Sequence, residues 1–471
     1  MANVNITVDG VKVSVPEGAT ILEAARKAGV DIPTLCAYEG MKPHAACRLC
    51  IVNVNDDKKT KLACATKVAE GMAVTANSDE LFAQRKATLT EMFRQHTVDC
   101  HQCARTGGST IENLDPAICE NCFYCDCQRE GFCELQALSR RFGISALPFE
   151  PHEHDFEIDS STGTIIRDPN KCIKCRRCVD VCQNTQGVGV LGMIKTDNGQ
   201  TVGVKTAATL AESDCIRCGR CVDVCPTGAV FLKEHKDEMP YFAHLHGVKT
   251  AALVDESVLP ELSRLYGGEI SLGQLASALR KIGIDKVYNA DELRTVSAQA
   301  AAKKLSARRK KSPAILAADP AAKKYLEKFH ADLKSDFIFL ETAQERFAEY
   351  AKGNFDKVFR ISGRNSLAQE VQDSKCADYF YNARELFRIL KRTGANPVRR
   401  AAEELDSLGA GVPETEYAPV LGAVEWRVGG EPEKITLTAK GKDVPAVICH
   451  NPAQLKAALE DTDARIIRVI S

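Results

Sequence analysis

Nineteen of the 21 cysteines in this chain lie between Cys36 and Cys225, and they lie in groups. Two groups share one spacing, in which two residues separate each of the first three cysteines and three residues precede the fourth. These runs are Cys172, Cys175, Cys178 and Cys182, and Cys215, Cys218, Cys221 and Cys225 followed by Pro226. This spacing is typical of the thiolates that bind a cubane iron–sulfur cluster. Because the run occurs twice, the sequence predicts an electron carrier with several iron–sulfur clusters.

Composition and charge exclude several other classes of protein. The chain has 471 residues, 44% of them hydrophobic, and a formal net charge of −1, so no overall positive charge points to a nucleic-acid partner. No apolar run is long enough to span a membrane. The first five residues lack the charged and apolar regions of a signal peptide. We therefore expect a cytoplasmic protein whose cysteines bind metal rather than form disulfides.

The first 78 residues have the pattern of a small ferredoxin. Alternating valines around Asp9 and Gly10 predict a hairpin, and Thr20 with Glu23 forms a capping box that predicts a helix to about Ala28. Four cysteines at a wider spacing follow, namely Cys36, Cys47, Cys50 and Cys64. We expect a β-grasp domain with one 2Fe–2S cluster. A four-cysteine zinc site is the alternative that this spacing permits.

The middle of the chain contains a further set of ligand candidates. An amphipathic helix predicted at 79–95 leads to His96, Cys100 and Cys103, and Cys133 precedes another predicted helix start at Glu134. Between them lie Cys119, Cys122, Cys125 and Cys127. Cysteines almost vanish after Pro240, where helical and strand-like segments alternate. The predicted domains are therefore 1–78, 79–147, 148–240 and 241–471.

The order of these motifs resembles the cluster-bearing half of FeFe-hydrogenases. The 2Fe–2S and His/Cys parts also resemble the N-terminal region of the large iron–sulfur subunit of respiratory complex I. The resemblance covers residues 1–235 and implies an α+β multidomain fold with a β-grasp 2Fe–2S domain, a His/Cys 4Fe–4S domain with an inserted cysteine site, and a two-cluster ferredoxin module. One departure is Ala45-Ala46 before Cys47, where a glycine is common in the family.

The resemblance implies that His96, Cys100, Cys103 and Cys133 bind one 4Fe–4S cluster. Cys119, Cys122, Cys125 and Cys127 would bind a further 4Fe–4S cluster or zinc, although Cys127 and Cys133 also have the family's local spacing. In two-cluster modules the fourth cysteine of each run ligates the other cluster. One cubane would then use Cys172, Cys175, Cys178 and Cys225, and the other Cys215, Cys218, Cys221 and Cys182. The expected cofactors are one 2Fe–2S cluster, three 4Fe–4S clusters and the inserted site at 119–127.

Residues 241–471 resemble the hydrogenase catalytic domain but lack the cysteines that hold its H-cluster. The counterparts of the three ligand motifs are 316–320, 361–364 and 466–471, and none contains a cysteine. The two cysteines beyond Cys225, Cys376 and Cys449, lie outside these segments. We therefore expect a degenerate α/β domain that anchors no H-cluster, and no catalytic residue in this chain.

The resemblance, together with the missing H-cluster cysteines, implies the electron-transfer subunit of an NAD(P)-linked, electron-bifurcating complex. Its expected partners are a flavin subunit that binds NAD(P)H, a small 2Fe–2S subunit, ferredoxin, and a separate catalytic subunit, with a nickel–iron hydrogenase as first choice. A formate dehydrogenase or transhydrogenase complex is the next choice, and a mainly structural assembly subunit is the alternative from another class. The basic run at 303–311 predicts a solvated face, with a ferredoxin docking site as the alternative. We expect His101, His152, His154, His244 and His246 to be surface or structural residues.

Overall fold

The computed structural model describes most of the chain. The described residues are 2–55, 57, 59–94, 96, 129, 132–144, 156–317, 319–408, 427–428, 430–439 and 442–471. Within these residues the strands form two sheets of five strands, one of four and two of two strands.

The N-terminal sheet has the strand order β2-β1-β5-β3-β4, in which β1 runs antiparallel to β2 and parallel to β5. Its strands are β1 (Asn3–Val8), β2 (Val11–Pro16), β3 (Ile51–Val54), β4 (Lys61–Leu62) and β5 (Ala73–Thr75). The predicted hairpin turn is confirmed, since Asp9 and Gly10 have φ values of +47° and +79°. Two successive left-handed residues match the twist of the flanking strands.

The predicted capping box begins helix α1 (Ile21–Lys27). The Glu23 N–H donates to Thr20 Oγ1 at 3.2 Å, and the Thr20 N–H donates to the Glu23 carboxylate at 2.6 Å. These two bonds satisfy N–H groups that a helix start leaves without partners. The helix directs the chain toward the loop that carries Cys36.

Helix α2 (Asp79–Arg94) confirms the helix predicted at 79–95. Its Arg85 is 2% exposed and donates to the carbonyl oxygens of Leu49 and Ile51 at 3.0 and 2.6 Å. Leu49 lies between two of the predicted 2Fe–2S ligands, so α2 braces their loop. Helix α3 (Glu134–Arg141) begins where the sequence predicted a helix start.

The ferredoxin-like module consists of short elements. Strand β6 (Ile165–Arg167) pairs with β9 (Val230–Leu232), and β7 (Leu191–Thr196) pairs with β8 (Gly199–Val204), both antiparallel. In each cysteine run, a short helix begins two residues after the second cysteine. These elements are α4 (Arg177–Asp180), continued by a π turn at Val181–Thr185, and α5 (Arg220–Val224).

The C-terminal part contains two sheets with helices packed against them. One has the order β11-β10-β14-β15 and is parallel throughout; the other has the order β13-β12-β18-β17-β16, with only β16 antiparallel to its neighbour. The strands are β10 (Thr250–Val254), β11 (Lys286–Asn289), β12 (Ala314–Ala317), β13 (Phe337–Phe339), β14 (Lys357–Ile361), β15 (Tyr379–Tyr381), β16 (Glu433–Ala439), β17 (Lys442–Cys449) and β18 (Ile466–Val469). The helices are α6 (Glu238–His244), α7 (Leu259–Tyr266), α8 (Leu272–Ile282), α9 (Ala290–Ala307), α10 (Pro320–Phe329), α11 (Ala343–Ala351), α12 (Leu367–Ser374), α13 (Ala383–Arg392) and α14 (Leu455–Leu459). The predicted alternation of helices and strands is confirmed.

One hydrophobic core joins the module to the C-terminal part. It contains Ile165 and Val230 from the module together with Leu253 and Phe380 from the parallel sheet. Because these side chains are buried in one continuous core, they fix the module against the sheet. Among the described residues, none of the helices has both the length and the apolar character that crossing a membrane requires.

Candidate iron–sulfur sites

The four cysteines predicted to bind a 2Fe–2S cluster lie together in loops of the N-terminal sheet. Cys36, Cys47, Cys50 and Cys64 are each at most 3% exposed. Cys36 is within hydrogen-bond reach of Cys47 and Cys64, and Cys50 is within reach of Cys64. Hydrogen bonds from Cys47 and Cys64 lower the pKa of Cys36. Four buried thiols in mutual contact form a donor set that fits a 2Fe–2S cluster.

The loop that carries Cys47 is bent by left-handed residues. Ala45 and Arg48 both have a φ of +53°. The bend directs the Leu35 N–H to the Cys47 sulfur at 3.4 Å. A side chain strains this backbone conformation, which glycine adopts freely. Ala45, in the alanine pair where the family commonly has a glycine, therefore introduces strain while the ligand keeps its place.

The eight cysteines of the two repeated runs form two groups. Burial raises the pKa of the first three cysteines of each run. The charge of Cys225 raises these pKa values further in the first run, and the charge of Cys182 does so in the second run. Each fourth cysteine thus lies beside the first three of the other run. The groups are Cys172, Cys175, Cys178 and Cys225, and Cys215, Cys218, Cys221 and Cys182.

The backbone turns around both groups in the same way. Lys174 and Arg176 have φ values of +56° and +66°, and the equivalent Arg217 and Gly219 have +57° and +76°. In each run the N–H of the second residue after the first cysteine donates to that cysteine's sulfur at 3.4 Å. Buried thiols that accept backbone hydrogen bonds fit cubane clusters.

The described thiols do not form a site for one ion. Within the described ranges, no group of three or more His, Cys, Asp and Glu side chains has the geometry to hold a single metal ion. The thiolates of a cubane bind separate iron atoms and therefore stand farther apart than the ligands of one ion.

The predicted His/Cys site lies only partly within the described residues. His96 follows α2 and is 6% exposed. Cys133 caps the start of α3, where its sulfur accepts from the Gln136 N–H at 3.5 Å. The other predicted ligands of this region lie outside the described residues, namely Cys100, Cys103, Cys119, Cys122, Cys125 and Cys127. Their partition between two metal sites stays a prediction.

Arg177 joins three cysteine-bearing segments, and the sequence analysis did not single it out. Its Nη1 and Nη2 donate to the Glu134 carboxylate at 2.8 Å each, and Nη2 also donates to the Ala37 carbonyl oxygen at 3.2 Å. Each of these residues is the sequence neighbour of a predicted ligand. The position of Arg176-Arg177 between two cysteines could have drawn attention to Arg177. Its partners lie in other segments, however, and a local pattern does not identify them.

A hydrophobic cluster surrounds the same segments. It contains Cys36 and Cys47 of the 2Fe–2S group and Cys175 of the first cubane group, and Cys133 packs against it. The apolar members of the cluster are Leu35, Leu49, Leu89, Phe93, Leu135, Phe142 and Ile144. Three of the predicted metal sites are therefore neighbours in one core that excludes water.

The three C-terminal segments that resemble H-cluster motifs converge on Asp319. This residue caps α10, and its carboxylate accepts from Ser366 Oγ at 2.6 Å, just beyond the second segment, and from the Ser471 hydroxyl of the third. Ser362 of the second segment donates to Asp255 at 2.8 Å. The described residues at this place offer hydroxyl, carboxylate and guanidinium groups, whereas cluster ligation needs thiolates.

The two remaining cysteines lie apart from that place. Cys376 follows α12, and Cys449 is the last residue of β17. Burial raises the pKa of Cys376 to about 11 and that of Cys449 to about 12. Both therefore remain neutral thiols, which behave as small apolar side chains.

The basic run at 303–311 is partly neutralised within the chain. Arg308 and Lys310 both pair with Asp336. Arg309 and Lys311 are exposed, as are His244 and His246. His101, His152 and His154 lie outside the described residues. The ion pairs favour the solvated-face interpretation of this run over a docking site.

Three family models match the chain. They are the 2Fe-2S iron-sulfur cluster binding domain at residues 1–79, the 4Fe-4S dicluster domain at 171–235, and the iron only hydrogenase large subunit, C-terminal domain, at 249–465. The chain therefore has ferredoxin-like 2Fe–2S and 4Fe–4S domains followed by a hydrogenase-like domain of mixed α/β structure.

Two relatives extend this assignment. The NADP-reducing hydrogenase subunit HndD of Solidesulfovibrio fructosivorans is 29% identical over 460 residues, which cover 90% of this chain and 74% of that protein. The mitochondrial NADH-ubiquinone oxidoreductase 78 kDa subunit of Neurospora crassa is 29% identical over 204 residues, which cover 43% of this chain and 24% of that protein. This chain is a relative of oxidoreductase iron–sulfur subunits. Its expected resemblance to hydrogenase and complex I subunits is confirmed.

A solved structure is also similar. The NAD+-reducing [NiFe]-hydrogenase in the H2-reduced state has a chain that is 28% identical, with a TM-score of 0.42. The similarity covers 50% of this chain and 89% of that one.

Proposed function

We propose that this chain is the electron-relay subunit of an NAD(P)-linked, electron-bifurcating complex in the cytoplasm. Its relatives include subunits of an NADP-reducing hydrogenase and of an NADH-ubiquinone oxidoreductase, which supports NAD(P)-linked electron transfer. The observation that carries the proposal is the common core that holds Cys36, Cys47 and Cys175. Redox groups that exchange electrons must lie close together, and this core brings the predicted ligands of neighbouring sites together.

The proposed ligands follow the groups described above. A β-grasp domain would hold one 2Fe–2S cluster on Cys36, Cys47, Cys50 and Cys64. The module would hold two cubanes with exchanged fourth ligands, and His96 with cysteines 100, 103 and 133 would hold a third. When bound, these clusters supply one-electron redox chemistry.

The chain's own residues set the surroundings of these groups. Backbone N–H donors at Lys174 and Arg217 stabilise negative charge on the sulfurs that they contact. Arg177 fixes the spacing of three ligand-bearing segments. Leu49 and Leu89 exclude water, which strengthens the electrostatic effect of each donor.

The terminal reaction would belong to another subunit. The segments converging on Asp319 carry no thiol that could anchor an H-cluster. We propose a nickel–iron hydrogenase as the catalytic partner, with a formate dehydrogenase or a ferredoxin-dependent transhydrogenase as second choices. A flavin subunit would exchange hydride with NAD(P)H, and a small 2Fe–2S subunit and ferredoxin would complete the set.

Composition of the native complex tests the proposal directly. We expect anaerobic purification to co-isolate a flavoprotein and a catalytic metallosubunit, identified by mass spectrometry. We expect about 18 iron atoms per chain if the 119–127 site is a 4Fe–4S cluster, and about 14 if it is not. Purification of the chain alone, with no oxidoreductase partner, would contradict the proposal.

A matched pair of cysteine variants tests the relay. In the purified complex, Cys218→Ala should leave the subunits assembled but abolish coupled turnover and remove one cubane signal from the electron paramagnetic resonance spectrum. Cys376→Ala removes a buried thiol outside the proposed ligand groups and should retain both. Full coupled turnover in the Cys218 variant would overturn the relay role.

A further inference from the structure

A small cavity lies where the three degenerate H-cluster segments converge. Its volume is about 40 Å³, and it is lined by four arginines, two aspartates and one glutamate among other residues. Asp255 follows β10 and Asp319 follows β12, and Arg360 and Arg468 lie in β14 and β18. The carboxyl ends of strands from both parallel sheets therefore meet at the cavity, which is where α/β proteins commonly bind ligands.

The two aspartates of the cavity are satisfied by other groups. Asp255 is 1% exposed, pairs with Arg360 and lies 3.8 Å from Arg294. Asp319 accepts from the hydroxyl groups of Ser366 and Ser471 and from N–H groups at the start of α10. Glu341 also lines the cavity, but it pairs with Arg346 at 2.7 Å.

In the described part of the chain, two guanidinium groups at the cavity form no ion pair, although the charges of Asp319 and Asp255 act on them from farther away. Arg468 is 3% exposed, and its Nε and Nη1 have no hydrogen-bond partner in the described part of the chain. Arg364 is half-buried beside it, and within the same ranges neither arginine forms an ion pair. Burial, together with the charge of the nearby Arg364, lowers the pKa of Arg468 to about 10, and the charge of Asp319 offsets part of this shift. At neutral pH both side chains still carry a positive charge.

Four arginines face two aspartates at this largely buried site, so an added negative charge would offset the excess positive charge, which is costly to bury. The cavity holds the volume of about three water molecules, which excludes a nucleotide or a metal cluster. Guanidinium groups are weakly hydrated and suit weakly hydrated anions. We propose that the cavity between Arg364 and Arg468 binds one small monovalent anion such as chloride.

The anion would have a structural role. It would bridge the loop after β14, which is the second degenerate segment, and β18, which lies in the third. The anion and the arginines that bind it would thereby occupy the place at which related catalytic domains hold their metal cluster. This role is independent of the proposed electron relay, because the cavity touches none of the predicted cluster ligands.

Bromide diffraction locates the anion directly. Crystals of the full chain, alone or in its native complex, are grown with sodium bromide in place of chloride. We expect an anomalous bromide peak between Arg364 and Arg468. Absence of a peak at this position would mean that water alone fills the cavity, and the proposal would be wrong.

Thermal unfolding of the clustered protein gives a second measurement. At constant ionic strength, exchange of gluconate for chloride should raise the unfolding midpoint saturably, by about 3 °C at a hundred times the dissociation constant. Arg468→Met should lose this rise, whereas the exposed control Arg309→Met should keep it. If Arg468→Met does not fold, Arg364→Gln, which changes the half-buried arginine, replaces it as the test variant. Equal midpoints in gluconate and chloride for the unchanged protein would overturn the proposal.

Discussion

Ala45 has a left-handed backbone next to a predicted cluster ligand, with a φ of +53°. An L-residue in this conformation costs about 1–2 kcal/mol relative to its ordinary conformations, whereas glycine adopts it freely. The neighbouring Ala46 is exposed and is not among the described residues with positive φ. The two alanines thus differ in backbone conformation while sharing one loop.

Ala45→Gly should therefore raise the free energy of unfolding by about 0.5–1 kcal/mol, because relief of strain exceeds the added entropy of the unfolded chain. Ala46→Gly should lower it by a similar amount, because only the entropy changes. Anaerobic thermal unfolding of the two variants beside the unchanged protein measures both effects. Shifts of the same sign would contradict the strain argument.

Arg177 concentrates several contacts in one side chain. Its side chain is 4% exposed, while its partner Glu134 is 44% exposed, so solvent screens part of their attraction. Arg177→Gln should lower the free energy of unfolding by about 1–3 kcal/mol and accelerate loss of iron, because two hydrogen-bonded segments separate. Iron release to a chelator and the thermal midpoint measure this change. The exposed neighbour Arg176 is the control, and an equal effect from Arg176→Gln would remove the special role of Arg177.

Among secondary-structure elements, α11 and α12 meet at a buried carboxyl group. Glu370 on α12 accepts from Thr342 Oγ1 at 2.8 Å, where Thr342 caps α11, and from the side-chain amide of Gln344. Gln344 in turn accepts from Arg360 of β14 at 3.0 Å. Burial raises the pKa of Glu370 to about 8. The neutral form is therefore the one that the folded chain favours.

This raised pKa predicts a pH dependence of stability. A folded pKa above the unfolded value contributes stability that is complete below the unfolded pKa and is lost as pH rises through about 8. Between about pH 6 and 8 the free energy of unfolding should fall with a slope of at most about 1.4 kcal/mol per pH unit. Glu370→Gln should flatten this slope in anaerobic thermal unfolding series, and the exposed Glu327→Gln should not. Parallel curves for Glu370→Gln and the unchanged protein would show that another group titrates.

For the whole molecule, what the sequence predicted depends on the range of the interaction. The hairpin at Asp9 and the capping box at Thr20 depend on neighbours within three residues, and both were predicted correctly. The cysteine runs are also local, whereas the exchange of Cys182 and Cys225 between them rests on the rule for two-cluster modules and stays a prediction. Arg177 contacts residues 43 and 140 positions away, and the cavity at Arg468 joins segments more than a hundred residues apart, which no local pattern encodes.

The hydrophobic core shared by the module and the parallel sheet leads to a prediction about truncation. Ile165 and Val230 of the module pack in the same core as Leu253 and Phe380, so removal of the C-terminal part would expose apolar surface of the module. A chain ending at residue 246 should then keep its 2Fe–2S cluster, because the N-terminal sheet has a core of its own that contains Cys50 and Cys64, although Cys36 and Cys47 belong to the hydrophobic cluster that contains Cys175. It should lose the two module cubanes, about 8 iron atoms per chain.

Anaerobic reconstitution of the truncated and full chains side by side, followed by iron analysis and limited proteolysis, measures this difference. Cleavage should concentrate in residues 156–246 of the truncated chain and spare the N-terminal sheet. Equal iron content with an unchanged cleavage pattern would mean that the module folds without the sheet. In that case the hydrogenase-like domain would serve partner binding alone, whereas loss of iron would make it the support on which the module's cluster sites are built.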